Sequence, residues 1–326
     1  MLRMDGITLA YRQLWGRRVE AVTGFSLTLG PGEIHAIVGP NGTGKTSLVR
    51  AAAGTLQPIA GTVRLFGQDP VRAGGRLRRR LGILLDGARY LHARWTGWEM
   101  LLHQAALYGV RDQVMIDRLE PLWEGLALAP VLDEPIFRLS RGMRQKLCLL
   151  LTLLHDPDVL ILDEPTLGLD ATGIAQVRSL LVSLRQAGKS VLLTSHDLDL
   201  LEEVSDGITV MAGGRVRYRA APTEILRWAA GGYTVTMDLR GAPPGLADRL
   251  PAGAQLDGDR LTLPLGTELL SQTLVTLSAL GVEIASLRSN CTLETAMGRL
   301  GLADGAREAD RPEPAIHPDA GPALPG

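Results

Sequence analysis

The chain is short of several things that would each point to a function. It has two cysteines in 326 residues, Cys148 and Cys291, far apart and in no metal-ligand spacing. They read as two unpaired thiols in a reducing compartment. It has no surplus of charge: 34 Lys and Arg stand against 35 Asp and Glu, a formal net charge of -1. A dedicated nucleic-acid binder shows a basic excess, so that class is disfavoured, while a local basic patch stays open. It has no long apolar run. "LCLLLTLL" falls well short of the roughly 20 residues of a membrane span, and "MLRMDGITLAYRQLWGRR" lacks the apolar stretch of a signal peptide. A cytoplasmic chain is expected, with any membrane role carried by a partner. No internal repeat is visible. Lysine is scarce, with three in the whole chain.

What is present is enough for a sizeable core. The chain is 45% hydrophobic and 21% charged, and its length suggests about two domains. "ITLAY" and "FSLTL" alternate as strands do. "IHAIV" is a short apolar run suited to a buried strand. It leads into "GPNGTGKTS" and the helix-like "LVRAAAGTL". "GTVRLFG" reads as a further strand. From about Asp86 to His155 apolar residues recur at helical spacing, as in "WEMLLHQAALYG" and "DRLEPLWEGLAL". "DVLILDEP" and "SVLLTSH" are buried strands on either side of the amphipathic "IAQVRSLLVSLRQAG". This alternation predicts a parallel α/β sheet. After "AAPTEILRWAAGG" the texture becomes strand, strand, helix, strand ("YTVTMDL", "DRLTLPL", "ELLSQTLVTLSALG", "VEIASLRS"), with a last helix at "TLETAMGRLG". That is a small α+β appendage, with a loop at 241–253. The end, rich in Pro, Ala, Gly and charge, is expected to be disordered.

Two motifs carry chemistry. Gly39-Pro40-Asn41-Gly42-Thr43-Gly44-Lys45-Thr46, followed by Ser47, fits G-x-x-x-x-G-K-[ST] between a strand and a helix. The glycines let successive backbone N–H groups face one phosphate, and the helix start adds its positive end. Lys45 is placed to reach the β/γ-phosphates and Thr46 to give a hydroxyl to Mg²⁺. "VLILDEP" puts Asp163 and Glu164 at the end of an apolar strand. Alone, that triplet reads as a strand-end turn. After a phosphate loop it reads as a carboxylate for Mg²⁺ and a neighbour able to take a proton from water.

In order and spacing, "GPNGTGKT", "LSRGMRQ", "LILDEPTLGLD" and "LLTSHDL" resemble the nucleotide-binding subunits of ATP-binding cassette (ABC) transporters. The resemblance covers about residues 5–225. It implies an α/β phosphate-loop NTPase domain over 1–226, with a RecA-like core, an antiparallel β subdomain and a helical subdomain at about 87–155. A C-terminal α+β extension over 227–302 and a tail over 303–326 follow. It implies ATP and Mg²⁺ as ligands, with Thr46, Asp163 and Asp86 toward the metal and Glu164, His196 and Lys45 as catalytic residues. Ser140, Arg141, Gly142 and Met143 resemble a signature that faces ATP on a second subunit. Ser140 and the Gly142 N–H would contact its γ-phosphate there, helped by a helix N-terminus. Asp170 resembles the loop that crosses the dimer interface, and Trp15 the aromatic that stacks on adenine, with Tyr11 as its competitor.

The sequence departs from the family pattern at Arg141, at Met143, and at Asp86, where the family has Gln. Asp still ligates Mg²⁺ but is shorter and, when ionised, is not a donor. The implied partners are a second cassette, a homodimer, and integral-membrane permease subunits, with no nucleic acid. The protein would sit on the cytoplasmic face of the membrane. The extension resembles that of drug- and antibiotic-efflux ATPases, favouring export over import. A soluble cassette ATPase and a regulatory nucleotide binder are the alternatives. The basic cluster Arg76 to Arg80 reads as a solvated helix face, or as a contact for a partner or a lipid surface.

Overall fold

The computed structural model describes residues 1–12, 18–85, 90–229, 234–251, 253–264 and 267–289. Trp15, Asp86, Cys291, the last helix expected from "TLETAMGRLG" and the tail at 303–326 lie outside them.

The apolar runs form the middle of a six-stranded sheet. β3 (Ile34–Val38), β6 (Val159–Asp163) and β7 (Ser190–Thr194) are buried along their whole lengths. With β5 (Leu81–Leu84), β8 (Gly207–Ala212) and β9 (Arg215–Ala220) they run in the order β5-β6-β7-β3-β8-β9. All neighbours are parallel except β9, which returns antiparallel through a Gly213-Gly214 turn and edges the sheet. Side chains alternate between faces along a strand. Leu160 and Leu162 of β6 join one core, Val159 and Ile161 the other. A strand with water on neither face has no use for polar residues, which is why these stretches read as continuous apolar runs.

Each face has its own cover. One core is closed by β1 (Leu2–Arg12), β2 (Arg18–Leu29) and β4 (Ala60–Leu65), an antiparallel sheet in the order β2-β1-β4, together with α1 (Lys45–Ala52). The other is closed by helices: α3 (Gly97–Tyr108), α4 (Asp112–Gly125), α5 (Arg141–Leu153), α6 (Ala171–Gln186), α7 (Leu198–Val204) and α8 (Pro222–Ala229). α2 (Gly75–Arg78) is a single turn before β5. α3 opens on a capping box between Thr96 and Glu99 and stops at Gly109, φ +66°. α4 continues through Pro121, because Met115, Leu119 and Trp123 form a buried stripe that outweighs the missing N–H.

A third core belongs to the appendage. β10 (Thr234–Arg240), β11 (Gln255–Asp257), β12 (Arg260–Pro264) and β13 (Glu283–Ser289) form an antiparallel sheet in the order β11-β12-β10-β13, with α9 (Thr267–Ala279) against it. Val235, Met237 and Leu239 point inward, and Asp238 on the opposite face is held by Arg260 and Ser286. Among the described residues no helix is long and apolar enough to cross a membrane.

The sheet carries more strands than the sequence pattern reveals. β5 precedes the helical stretch and is four residues long, and β11 has three. β9 alternates arginine with apolar residues, so its composition resembles a charged surface segment. The basic cluster is also not one uniform solvated face. Arg80 pairs with Asp158 at 2.6 Å and its guanidinium lies 3.5 Å above the Phe66 ring, while Leu77 is buried.

Candidate functional site

The site gathers at the carboxyl ends of the parallel strands. β3 ends at Val38 and the chain curls through residues 39–44 before α1 begins at Lys45. Two glycines make the curl possible. At Gly39 (φ +148°) a Cβ would lie 2.2 Å from Met211 O, and at Gly44 (φ +94°) one would lie 2.3 Å from Val22 Cγ2. The loop is therefore gripped between β8 and β2, with no room for a side chain at either point. Lys45 is buried and its Nζ donates to Gly39 O and, at 3.1 Å, to Pro40 O. The Thr43 hydroxyl donates to Pro40 O at 2.8 Å, which closes the turn from inside. The Ser47 hydroxyl shares a 2.6 Å hydrogen bond with the hydroxyl of Tyr11 on β1, so that ring is fixed beside the first turn of α1.

β6 brings Asp163 and Glu164 to the same end of the sheet. Asp163 is 8% exposed, and its Oδ1 accepts a 2.5 Å hydrogen bond from the Thr194 hydroxyl at the end of β7. Glu164 is held in the left-handed region, φ +50°. For a side chain other than glycine that conformation costs on the order of 1–3 kcal/mol. It persists because the Glu164 N–H donates to Thr194 O (3.1 Å), and because Gln145 Nε2 donates to the carbonyls of Glu164 and Pro165, both at 3.2 Å.

The distorted backbone points the Glu164 carboxylate at His196. Oε1 is 3.2 Å from His196 Nε2, and Oε2 accepts from the His196 N–H at 3.3 Å. Burial pushes the Glu164 carboxyl above the usual carboxylate range. His196 opposes the rise, Asp163 adds to it and Lys45 opposes it. A carboxylate moved this way is a better proton acceptor near neutral pH.

"LSRGMRQ" begins α5. Ser140 is its N-cap, accepting from the Met143 N–H at 3.1 Å. Gly142 packs close to the loop before α6: a Cβ there would meet Gly168 O and Leu169 Cδ2, both at 3.2 Å. The Arg141 side chain lies over Gly168, whose φ is +81°. Asp170 caps α6 by accepting from the Gly173 N–H at 2.8 Å. Lys146 reaches Gln176 at 2.5 Å and ties the two helices together.

So Lys45, Asp163, Glu164 and His196 converge, while Ser140, Arg141, Gly142 and Asp170 form a second group on the starts of α5 and α6. Sequence reasoning passed over Gln145 and Thr194. Thr194 left a signal, a polar residue ending a buried apolar strand. Gln145 left none, because its role needs the fold to bring α5 beneath the turn after β6.

A protein-family model described as "ABC transporter" matches residues 22–167. The chain is 34% identical over 203 residues to the ABC transporter ATP-binding protein NatA of Bacillus subtilis (strain 168), covering 62% of this chain and 82% of that protein. The chain belongs to the ATP-binding subunits of ABC transporters. This cassette is also 34% identical over 271 residues to the daunorubicin resistance ATP-binding protein DrrA3 of Streptomyces coeruleorubidus, spanning 81% of this chain and 85% of the relative. A solved ATP-binding subunit of an ABC transporter superposes with a TM-score of 0.63 at 25% identity, covering 70% of this chain and 92% of that one. The cassette is an ATP-binding and ATP-hydrolysing subunit, and it resembles exporter-type ATPases.

Proposed function

We propose that this cassette powers export. Two copies would close over two ATP molecules and pull on separate membrane permease subunits from the cytoplasmic face. The observation that carries the hydrolytic part is the contact between Glu164 and His196, made by a strained backbone beside the phosphate loop. Export is supported by relatives named for daunorubicin resistance and fluoroquinolone export. The proposed division of the chain is 1–226 for the cassette, with a helical subdomain at about 87–155, then 227–302 for the extension and 303–326 for the tail.

Gly39, Pro40, Asn41, Gly42, Thr43 and Gly44 would cradle the phosphates with backbone N–H groups, completed by Lys45, Thr46 and Ser47. The Thr46 hydroxyl and the Asp163 carboxylate would hold Mg²⁺. The donors suit that ion: Thr194 occupies Asp163 Oδ1, and no described residue donates to Oδ2. Mg²⁺ at such a site would be held largely by substrate phosphates and water. Bound there, Mg²⁺ would neutralise phosphate charge. Asp86 is proposed as a further oxygen donor, and Trp15, with Tyr11 as its rival, as the platform for adenine.

Glu164 would take a proton from the attacking water while His196 orients it. Lys45 and the start of α1 would stabilise charge growing on the γ-phosphate. Ser140, Arg141, Gly142 and Met143 of the second copy would close the other side, with Asp170 near the seam. The test is Glu164→Gln in the purified chain with Mg·ATP. Turnover should fall by about 10²–10⁴-fold, the usual contribution of a positioned base, while ATP binding persists and the dimer accumulates. Unchanged turnover would remove Glu164 from its role.

A further inference from the structure

Away from the nucleotide end, three arginines from different elements line one cavity of about 340 Å³. Arg79 comes from the turn before β5, Arg111 from the link between α3 and α4, and Arg118 from the second turn of α4. His155, just past the end of α5, lines it too, stacked on Tyr108 with ring centroids 4.0 Å apart and planes 10° from parallel. None of the three arginines forms an ion pair with a described carboxylate. The carboxylates that follow His155 are engaged elsewhere: Asp156 with Lys189 and Asp158 with Arg80, each at 2.6 Å. Arg118 Nη1 donates to Leu154 O at 2.6 Å, which anchors its guanidinium against the end of α5. Arg79 Nη2 comes close to Gly109, where the chain turns from α3 toward α4.

Folding has brought three like charges together and left them unneutralised, an arrangement that an anion relieves. His155 is fixed in the wall of the cavity. Its Nε2 is 3.1 Å from Leu81 O, a group that only accepts, so Nε2 carries the hydrogen and Nδ1 is the bare acceptor. That Nδ1 is buried and has no partner among the described residues. A ligand that suits the cavity has an anionic group for the arginines. A cavity of this size holds more than a bare phosphate ion.

We propose that this cavity is an anion site for a phosphate group, supplied either by a phospholipid headgroup or by a free organic phosphate. Arg79, Arg111 and Arg118 hold the phosphate oxygens. His155, held by Leu81 O and stacked on Tyr108, is a fixed wall beside them. The cluster Arg76 to Arg80 thereby divides its work, with Arg80 pinned to Asp158 and Phe66 and Arg79 turned to the ligand.

The experiment uses the full chain carrying Lys45→Ala, so that the phosphate loop contributes little, with and without Arg79→Gln and Arg111→Gln together. Both arginines are exposed, so the double variant should keep its circular dichroism spectrum and, in a chain with Lys45 intact, its basal ATP turnover. Two probes are compared: glycerol 3-phosphate by titration calorimetry, and sedimentation with vesicles of phosphatidylglycerol against phosphatidylcholine. Saturable binding of glycerol 3-phosphate, or retention on phosphatidylglycerol vesicles alone, is expected, with at least a tenfold loss in the double variant. The first result assigns a free phosphate and the second a headgroup. No binding to either probe, or binding undiminished in the double variant, overturns the proposal. So does a double variant that fails only to assemble with membrane subunits while the parent binds neither probe, since the arginines would then face a protein carboxylate.

Discussion

At Glu164 a single residue's backbone angle decides where a carboxylate sits. Its φ of +50° is held by hydrogen bonds from Gln145 and to Thr194, and the side chain consequently faces His196. The raised carboxyl has a consequence for pH. Glu164 accepts a proton only when ionised, so turnover should fall as pH drops through a value above the ordinary carboxylate range. His196 is the largest influence opposing that rise. In His196→Ala the acid limb of the residual pH–rate profile should therefore move to higher pH. A limb that stays in place or moves lower would detach Glu164 from the profile. Arg141 poses a different residue-scale question. It puts a cation in the first turn of a helix, against the helix dipole, which costs about 0.3–1 kcal/mol. Arg141→Gly should remove that cost, but it also frees the loop at Gly168 and adds a flexible residue. The expected result is near-unchanged melting and a KM for ATP at least several-fold higher, read from steady-state kinetics.

Among the elements, α5 depends most on its surroundings. Ser140 caps its start, Gln145 holds the turn after β6, and its C-terminal half is buried among leucines. Gln145→Ala leaves the buried Pro165 carbonyl without its donor, at a cost of about 1–3 kcal/mol, and takes one of two donors from Glu164 O, which keeps the Leu167 N–H. Denaturant melting should show that loss, with turnover falling further than stability alone explains because the Glu164 backbone is released. The elements also show what a sequence can reveal. The phosphate loop was legible because its glycine and lysine spacing has one physical purpose. β3, β6 and β7 were legible because a strand buried on both faces is written as an apolar run. β9 went unread although Arg215, Arg217 and Arg219 alternate with Val216, Tyr218 and Ala220 as in a half-buried strand, while β5 and β11 are too short to show a period. Gln145 was illegible for another reason: its partners are 19 and 20 residues away in the chain, and only the packing of α5 unites them.

On the scale of the whole molecule, three cores share the chain. α8 is counted with the large helical core through Ile225, which is 1% exposed, although it precedes the appendage directly. Ile225→Ala should cost about 2–5 kcal/mol in the melting of the cassette. The matching change in the appendage, Leu261→Ala, should leave the cassette transition and ATP turnover in place. A joint loss in both variants would mean one cooperative unit instead of two. The strain at Glu164, the cap at Ser140 and the arginine-lined cavity at His155 all meet one helix. α5 has 13 residues and is therefore about 20 Å long. A rod of that length spans the distance between the nucleotide end and the cavity. If occupancy of the cavity changes nucleotide affinity by some factor, nucleotide must change the cavity's affinity by the same factor, and a titration at either end measures both.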